Sequence, residues 1–403
     1  MNKAKPFCIS KKELWDAYLR VRSNQGTYGI DGQSIEEFEK DLSNNLYKLW
    51  NRMSSGSYFP APVKRVEIPK GNNQKRPLGI PTVTDRIAQT VVLCRLEPQI
   101  DRCFHPDSYG YRSGKSAIDA VGRARKRCWR FGWVLDLDIK AFFDSIDHDL
   151  LMRAVDKHTK EKWVLLYVQR WLKSAIEQQD GTLLRRDRGT PQGGVISPLL
   201  ANLFLHYVFD LWMQRNCPSI PFERFADDVI CHCQSEKQAQ WLLVRLSERF
   251  ESCGLELHPE KTKIVGCQGV NSGSFDFLGY TFRLRKAINR RGKHFVSFLP
   301  AVSNKALKKM RQSVRQMGLH RRTDLALEDL ANLLNPKLRG WINYFKHYYR
   351  SQLNRLVQYV DWILIRWSRR KYKRLRGRTR KANFWMRRIR MQQPKLFAHW
   401  SFT

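Results

Sequence analysis

Two short stretches of this sequence place carboxylates where a strand would otherwise be apolar. Trp133-Val-Leu-Asp-Leu-Asp-Ile-Lys-Ala-Phe-Phe-Asp144 alternates in the manner of a strand. Trp133, Leu135, Leu137 and Ile139 fall on one face, toward a core, and Asp136 and Asp138 share the other. Pro221-Phe-Glu-Arg-Phe-Ala-Asp-Asp-Val-Ile-Cys-His-Cys233 reads as a β-hairpin with Asp227-Asp228 at or beside its turn. Alone, the second stretch also fits an ordinary Asp-rich turn. The pair points further. Nucleotidyl transfer by two cations about 3.5–4 Å apart needs carboxylates from separate strands. Asp138 and Asp227 stand 89 positions apart, so only a fold that sets the two strands side by side can use them.

A third stretch is Gly189-Thr-Pro-Gln-Gly-Gly-Val-Ile-Ser-Pro-Leu-Leu-Ala-Asn-Leu-Phe-Leu205. Its glycines let the backbone come close to a ligand. Ser197 as N-cap and Pro198 as first helical residue open a helix with Leu199, Leu203 and Phe204 on one stripe. The plain alternative is a loop before a buried helix.

The elements around these stretches follow from pattern. Residues 10–60 read as helical, with Leu14, Trp15, Tyr18 and Leu19 at helical spacing and a turn at Tyr28-Gly-Ile-Asp-Gly32. Two short strands, 63–68 and 78–80, are expected around a Gly71-Asn-Asn loop, and Thr84 as the N-cap of a helix to about Leu96. From about Ser303 the chain turns mostly helical. Asn335-Pro336 is expected to start one helix as N-cap and first residue, with Trp341, Tyr344 and Tyr348 on one face and Phe345 and Tyr349 beside them. Leu353, Leu356, Val357, Val360, Leu364 and Trp367 form a second apolar stripe.

Composition narrows the partners. The 403 residues carry a formal net charge of +36, which draws polyanions to the surface. Nucleic acid fits best, because basic residues are interleaved with aromatics throughout; a membrane surface fits less well. Residues 301–403 hold 26 Lys/Arg against 4 Asp/Glu, so 22 of the net charges sit in the last quarter. Residues 366–390 alone hold 13 basic residues and no acid, too dense for an ordinary solvated face. The 9 cysteines form no repeating framework, and Cys231-x-Cys233 is too tight for a zinc knuckle, which fits a reducing compartment. No apolar signal segment follows Met1, and no run reaches the roughly 18–20 apolar residues of a membrane span. An intracellular, cytoplasmic protein is expected.

At this point the motifs resemble those of the group II intron reverse transcriptases. Arg76-Pro-Leu-Gly-Ile-Pro-Thr-Val-Thr-Asp-Arg-Ile-Ala-Gln89 and Tyr109-Gly-Tyr-Arg-Ser-Gly114 resemble that family's finger blocks. Asp138-Ile-Lys-Ala-Phe-Phe-Asp144, Thr190-Pro-Gln-Gly193 and Phe225-Ala-Asp-Asp228 resemble its three palm blocks. Gly254-Leu-Glu-Leu-His-Pro-Glu-Lys-Thr-Lys263 and Phe277-Leu-Gly-Tyr280 resemble the two that follow, all in family order. Phe225 stands where the family usually has Tyr. Asn335-Pro-Lys-Leu-Arg-Gly-Trp-Ile-Asn-Tyr-Phe345 resembles part of its maturase region.

The resemblance implies an α+β right-hand polymerase, with fingers and an antiparallel-sheet palm, followed by an α-helical thumb/maturase domain. The expected divisions are a helical extension over 1–60, fingers and palm over 61–300, and thumb/maturase with a basic tail over 301–403. Asp138, Asp227 and Asp228 are expected to ligate two Mg²⁺ ions, with Asp136 and Asp144 in supporting places. Phe143 would exclude a 2′-OH, unless it is a core aromatic. Lys70, Arg76 and Arg86 would meet the incoming dNTP triphosphate and Lys261 would protonate the leaving pyrophosphate, unless these four are solvated surface charges, and Gln192 would meet the nucleotide or template. Arg366, Arg369, Arg370, Lys371, Lys373, Arg374 and Arg376 would bind RNA. The implied partners are group II intron RNA, target DNA and an RNA template with its primer, in a bacterial cytoplasm and at the nucleoid during mobility. The sequence shows no His- and Cys-rich nuclease segment before Thr403, so no endonuclease is expected, as in the group IIC lineage. Two other readings stay open: a reverse transcriptase recruited to defence or CRISPR functions, and an RNA-binding splicing cofactor without polymerase activity.

Overall fold

The structure, a computed structural model, describes residues 5–71, 74–269, 272–288 and 291–402; the side chains of Lys70, Gln74 and Arg76 lie outside the description. The chain divides into two compact units. The first runs to Ala120 and takes in Leu135–Cys233 and Lys237–Lys263. The second holds Val121–Val134, Gln234–Glu236 and the chain from Ile264 on.

In the first unit, Ser10 starts the helix Lys11–Asn24 through a capping box with Glu13, so two backbone donors that the helix leaves bare find acceptors. That helix buries Leu14, Ala17, Tyr18 and Val21. Trp15 and Leu19, expected on the same stripe, are 44% and 41% exposed, because the packed face is centred one residue further round. The helices Lys11–Asn24 and Leu42–Ser55 pack against the helix Val83–Ile100. The latter starts at Thr82, not Thr84. The Thr82 hydroxyl accepts from Asp85 N–H at 3.1 Å and donates back to the Asp85 carboxylate at 2.9 Å. Asp85 also receives the Tyr58 hydroxyl and the Ala61 N–H. Burial raises the pKa of this carboxyl, and these donors hold it in place.

Two sheets shape this unit. One runs Gln74–Ile80, Val63–Gly71, Ile176–Glu177, Leu183–Leu184 in spatial order. Its first two strands pair antiparallel from Lys64↔Ile80 onward and are longer than expected. Asn72 and Asn73 of the expected loop lie outside the described residues. In the second sheet the strands Phe222–Phe225, Asp228–Cys233 and Trp133–Leu137 lie side by side in that order. The helix Ser197–Leu205 begins one residue earlier than expected, with Ile196 at its cap, and all its residues but Pro198 are buried. It is a core helix and not an amphipathic one.

The second unit opens on an antiparallel hairpin, Tyr280–Ile288 with His294–Val302, flanked by Phe275–Phe277. The Ser303 hydroxyl caps the helix Asn304–Gln316, and Leu327–Phe345, Asn354–Lys371 and Thr379–Gln392 follow. Pro336 does not start a helix; it lies inside Leu327–Phe345. Asn335 is drawn elsewhere. Its side chain donates to Leu396 O and accepts from Ala398 N–H, both at 2.8 Å, and so pins the end of the chain. The helix instead begins where Asp329 accepts the Ala326 N–H. The expected stripe from Leu353 to Trp367 is buried throughout. Among the described residues, no helix is long and apolar enough to cross a membrane.

Candidate active site

Asp138 follows directly on the strand Trp133–Leu137, and its backbone is pinned on both sides. Its N–H faces Thr262 Oγ1 at 3.4 Å, and its carbonyl accepts from His258 N–H at 2.8 Å. Ile139 bridges Leu257, and Lys140 N–H donates to Glu256 O at 2.8 Å. The segment 256–262 is therefore laid along the aspartate. It carries Lys261, whose Nζ stands 3.5 Å from Asp138 Oδ1. Both side chains are about half exposed, so the pair adds little stability; it places a cation at the carboxylate.

The second aspartate segment is a tight hairpin. Phe225 pairs with Asp228, leaving Ala226-Asp227 as a two-residue turn. Ala226 sits at φ 56°, a conformation that the first position of such turns ordinarily gives to glycine. Asp227 is half-buried and Asp228 exposed. The strand that Asp228 begins neighbours the strand that leads into Asp138. The two segments, far apart in sequence, thus come from adjacent strands.

The loop at 189–194 joins this site to its neighbours through the backbone. Thr190 N–H donates to Phe143 O, and Gly189 N–H to Ile146 O, both at 2.7 Å. Gly189 has φ 79°, and a Cβ there would stand 2.7 Å from Phe143 O. On its other side, Gln192 O accepts from Gly79 N–H at 2.7 Å, and a Cβ on Gly193 would meet Gly79 O at 2.5 Å. Gln192 itself is half-buried. Phe143 is 6% exposed and meets Phe142 edge-on at 5.4 Å.

Among the described residues, no three His, Cys, Asp or Glu side chains are grouped closely enough to hold a metal ion by themselves. A hard cation such as Mg²⁺ does not need three, since it keeps several waters and takes one or two carboxylates with the phosphates of its substrate. The carboxylates at 138, 227 and 228 are donors of that kind.

The comparisons with known proteins bear on the same residues. Residues 68–282 match the family described as Reverse transcriptase (RNA-dependent DNA polymerase). Residues 307–385 match Group II intron, maturase-specific domain. The chain belongs to the group II intron reverse transcriptase/maturase family. It is 32% identical to Protein YkfC of Escherichia coli (strain K12), over 71% of this chain and 84% of that one. It is 28% identical to Group II intron-encoded protein LtrA of Lactococcus lactis subsp. cremoris, over 82% of this chain and 68% of that one. A 91 kDa protein in the cob intron of Schizosaccharomyces pombe is 24% identical over 90% of this chain and 52% of its own length.

As a member, the chain is an RNA-directed DNA polymerase tied to intron splicing and mobility. Enzymes of the family use divalent metal ions and deoxynucleoside triphosphates. The maturase-specific match implies a group II intron RNA as partner.

Other expected site residues are placed unevenly. The side chains of Lys70 and Arg76 lie outside the described residues, although their backbones belong to the paired strands Val63–Gly71 and Gln74–Ile80. Arg86 is held by backbone carbonyls. It is buried, and its two terminal nitrogens donate to Gln25 O at 3.1 Å and Thr27 O at 2.8 Å. Burial lowers its pKa, and the side chain braces residues 25–27. In the tail, Arg370, Lys373, Arg374 and Arg376 are exposed, whereas Lys371 donates to Leu325 O and lies over Trp367. Arg366 is half-buried and stacks on exposed Trp362, 4.6 Å from its ring centre; Arg369 is half-buried one turn on.

Sequence reading does not single out Arg224, Asp210, Asn202 or Gly110. The one signal is a pair of adjacent charged residues, Glu223 and Arg224, between the two phenylalanines of the strand Phe222–Phe225, shortly before the aspartates.

Proposed function

We propose that the chain is a right-hand polymerase that copies intron RNA into cDNA at a site built on Asp138, Asp227 and Asp228. Residues 61–300 act as fingers and palm, 301–403 as thumb and maturase domain, and 1–60 as a helical extension. The observation that carries this reading is the adjacency of the two aspartate strands, with Lys261 set against Asp138. Two Mg²⁺ ions held there would supply charge stabilisation at the primer 3′-oxygen and the triphosphate. The chain's own residues do the rest. Lys261, set against Asp138, gives a proton to the departing pyrophosphate, and Gln192 meets the nucleotide or template. Lys70 and Arg76 take the triphosphate, and the basic tail from Arg366 to Arg376 takes RNA. The substrates are an RNA template with its primer and the target DNA, in a bacterial cytoplasm and at the nucleoid during mobility.

The test is primer extension on an RNA template with dNTPs. Full-length cDNA is expected with Mg²⁺ and none with a chelator in excess; extension that ignores the chelator would overturn the assignment. The burial of Phe143 sharpens one further expectation. A ring that excludes a 2′-OH by position alone predicts that Phe143→Ala raises ribonucleotide use relative to deoxyribonucleotide by about tenfold or more, a discrimination worth roughly 1.4 kcal/mol. An unchanged ratio in an enzyme that still polymerises would assign Phe143 to the core.

A further inference from the structure

Below the aspartate turn lies a charged cluster that the chemistry above does not use. Arg224 is fully buried, and so is Asp210. The guanidinium grips the Asp210 carboxylate through two nitrogens, Nε to Oδ1 at 2.7 Å and Nη2 to Oδ2 at 2.6 Å. Burial pushes the Asp210 carboxyl up most strongly, but the Arg224 charge, its hydrogen bonds and His206 together outweigh it and hold the group below its ordinary value. The remaining nitrogen, Nη1, donates to Asn202 Oδ1 at 2.9 Å and to Ala226 O at 3.2 Å. Ala226 is the residue immediately before Asp227.

We propose that Arg224 is a positioning residue, which holds the Ala226 carbonyl and thereby sets where the Asp227 carboxylate stands. The proposal rests on the reading of Asp227 as a metal-site carboxylate. Four features of the structure support it. First, a buried ion pair is an expensive way to pack a hairpin, since apolar residues of similar size are often as stable or more so. Second, Ala226 at φ 56° is strained, and such conformations persist only where the surroundings over-determine them. Third, the same cluster holds the opposite wall. Asn202 Nδ2 donates to Gly110 O at 2.6 Å, Tyr109 N–H donates to Arg224 O at 2.8 Å, and a Cβ on Gly110 would stand 2.4 Å from Ala226 N. Fourth, Asp210 closes a π-helical turn, His206–Asp210, a local irregularity that re-aims one side chain out of helical register. A planar fork can serve Asp210, Asn202 and Ala226 at once; a lysine ammonium cannot.

Arg224→Lys keeps the charge for Asp210 and gives up the fork. The expected result is a kcat lowered about 100-fold, as for a misplacement of about 1 Å at a reacting centre. Half-saturating Mg²⁺ should rise about tenfold, the scale of losing a residue that orients a ligand. KM for dNTP should stay within about twofold, because the groups that meet the substrate are untouched. A second readout does not depend on turnover: with Fe²⁺ in place of Mg²⁺ and hydrogen peroxide with ascorbate added, Fe²⁺ reduces the peroxide to hydroxyl radicals that cut the backbone beside the bound ion. Wild-type protein should be cut near both 138 and 227, and Arg224→Lys near 138 with the cut at 225–229 much reduced. Wild-type protein that is not cut near 227 would overturn the reading of Asp227 itself. A wild-type pattern and an unchanged Mg²⁺ requirement in Arg224→Lys would overturn the clamp alone. If that variant does not fold, Asn202→Ala retains the ion pair and decides the matter: the same shifts, smaller, support the clamp, and none overturns it.

Discussion

Asp227→Ala is expected to lower cDNA synthesis by about 10³-fold or more, the rate equivalent of roughly 4 kcal/mol, while RNA affinity stays close to wild type. Asp138→Asn should do the same with less change of shape. Both side chains face their neighbours from backbone that other groups already fix. Asp138 is held through its N–H and carbonyl by Thr262 and His258, and the turn at Asp227 by the Phe225–Asp228 pair. Removing either carboxylate therefore leaves the frame standing. RNA affinity rests on phosphates neutralised across a strongly basic chain, so one acidic residue contributes little to it. Primer extension on an RNA template and a binding titration with the same RNA, run on the same preparations, give both quantities. Robust extension by either variant would remove that residue from the site.

Much of this site is legible in the sequence because its pieces carry local signals. The alternation before Asp138 and the apolar flanks of Asp227-Asp228 mark a strand and a hairpin, and both are found. The glycines of the 189–194 loop also mean what their type suggests: at Gly189 and Gly193 a side chain would strike backbone. What stays hidden depends on partners remote in sequence. Thr82 and Thr84 are equal candidates for a cap until Asp85, Tyr58 and Ala61 converge on one of them. Asn335-Pro336 has the composition of a helix start, yet Asn335 is claimed by residues 396–398, and the helix runs through the proline. Arg86 has the type and the block of a phosphate ligand, but carbonyls at 25 and 27 take its nitrogens. Arg224 is the extreme case, since its three partners come from helix, π-turn and hairpin and no spacing connects them.

The basic tail carries the other large effect, and the structure changes which residues should be altered. Lys371 is engaged with Leu325 O and the Trp367 ring, so neutralising it would disturb packing as well as charge. Arg370, Lys373, Arg374 and Arg376 are exposed and have the freedom to meet phosphates. Changing these four to Gln should make the plot of log affinity against log salt shallower by up to about 3.6, at roughly 0.7–0.9 for each phosphate no longer neutralised. At about 0.1 M salt that corresponds to binding weaker by on the order of 10²- to 10³-fold. Phosphate-directed charges do not read sequence, so intron RNA and an unrelated structured RNA should weaken by similar factors. Discrimination between the two should reside in shaped surface, and on the same helix Arg366 stacked on exposed Trp362 offers a flat cationic platform of the kind that unpaired bases stack on. Protein-assisted splicing should fall further than extension of a preformed primer–template, because the aspartates and their supports are untouched. Titrating both RNAs at several salt concentrations, with splicing and extension measured side by side, separates the two roles. A weakening confined to intron RNA with an unchanged salt slope would make the tail a specific reader, and the division between affinity from the tail and selectivity from the Trp362 face would be wrong.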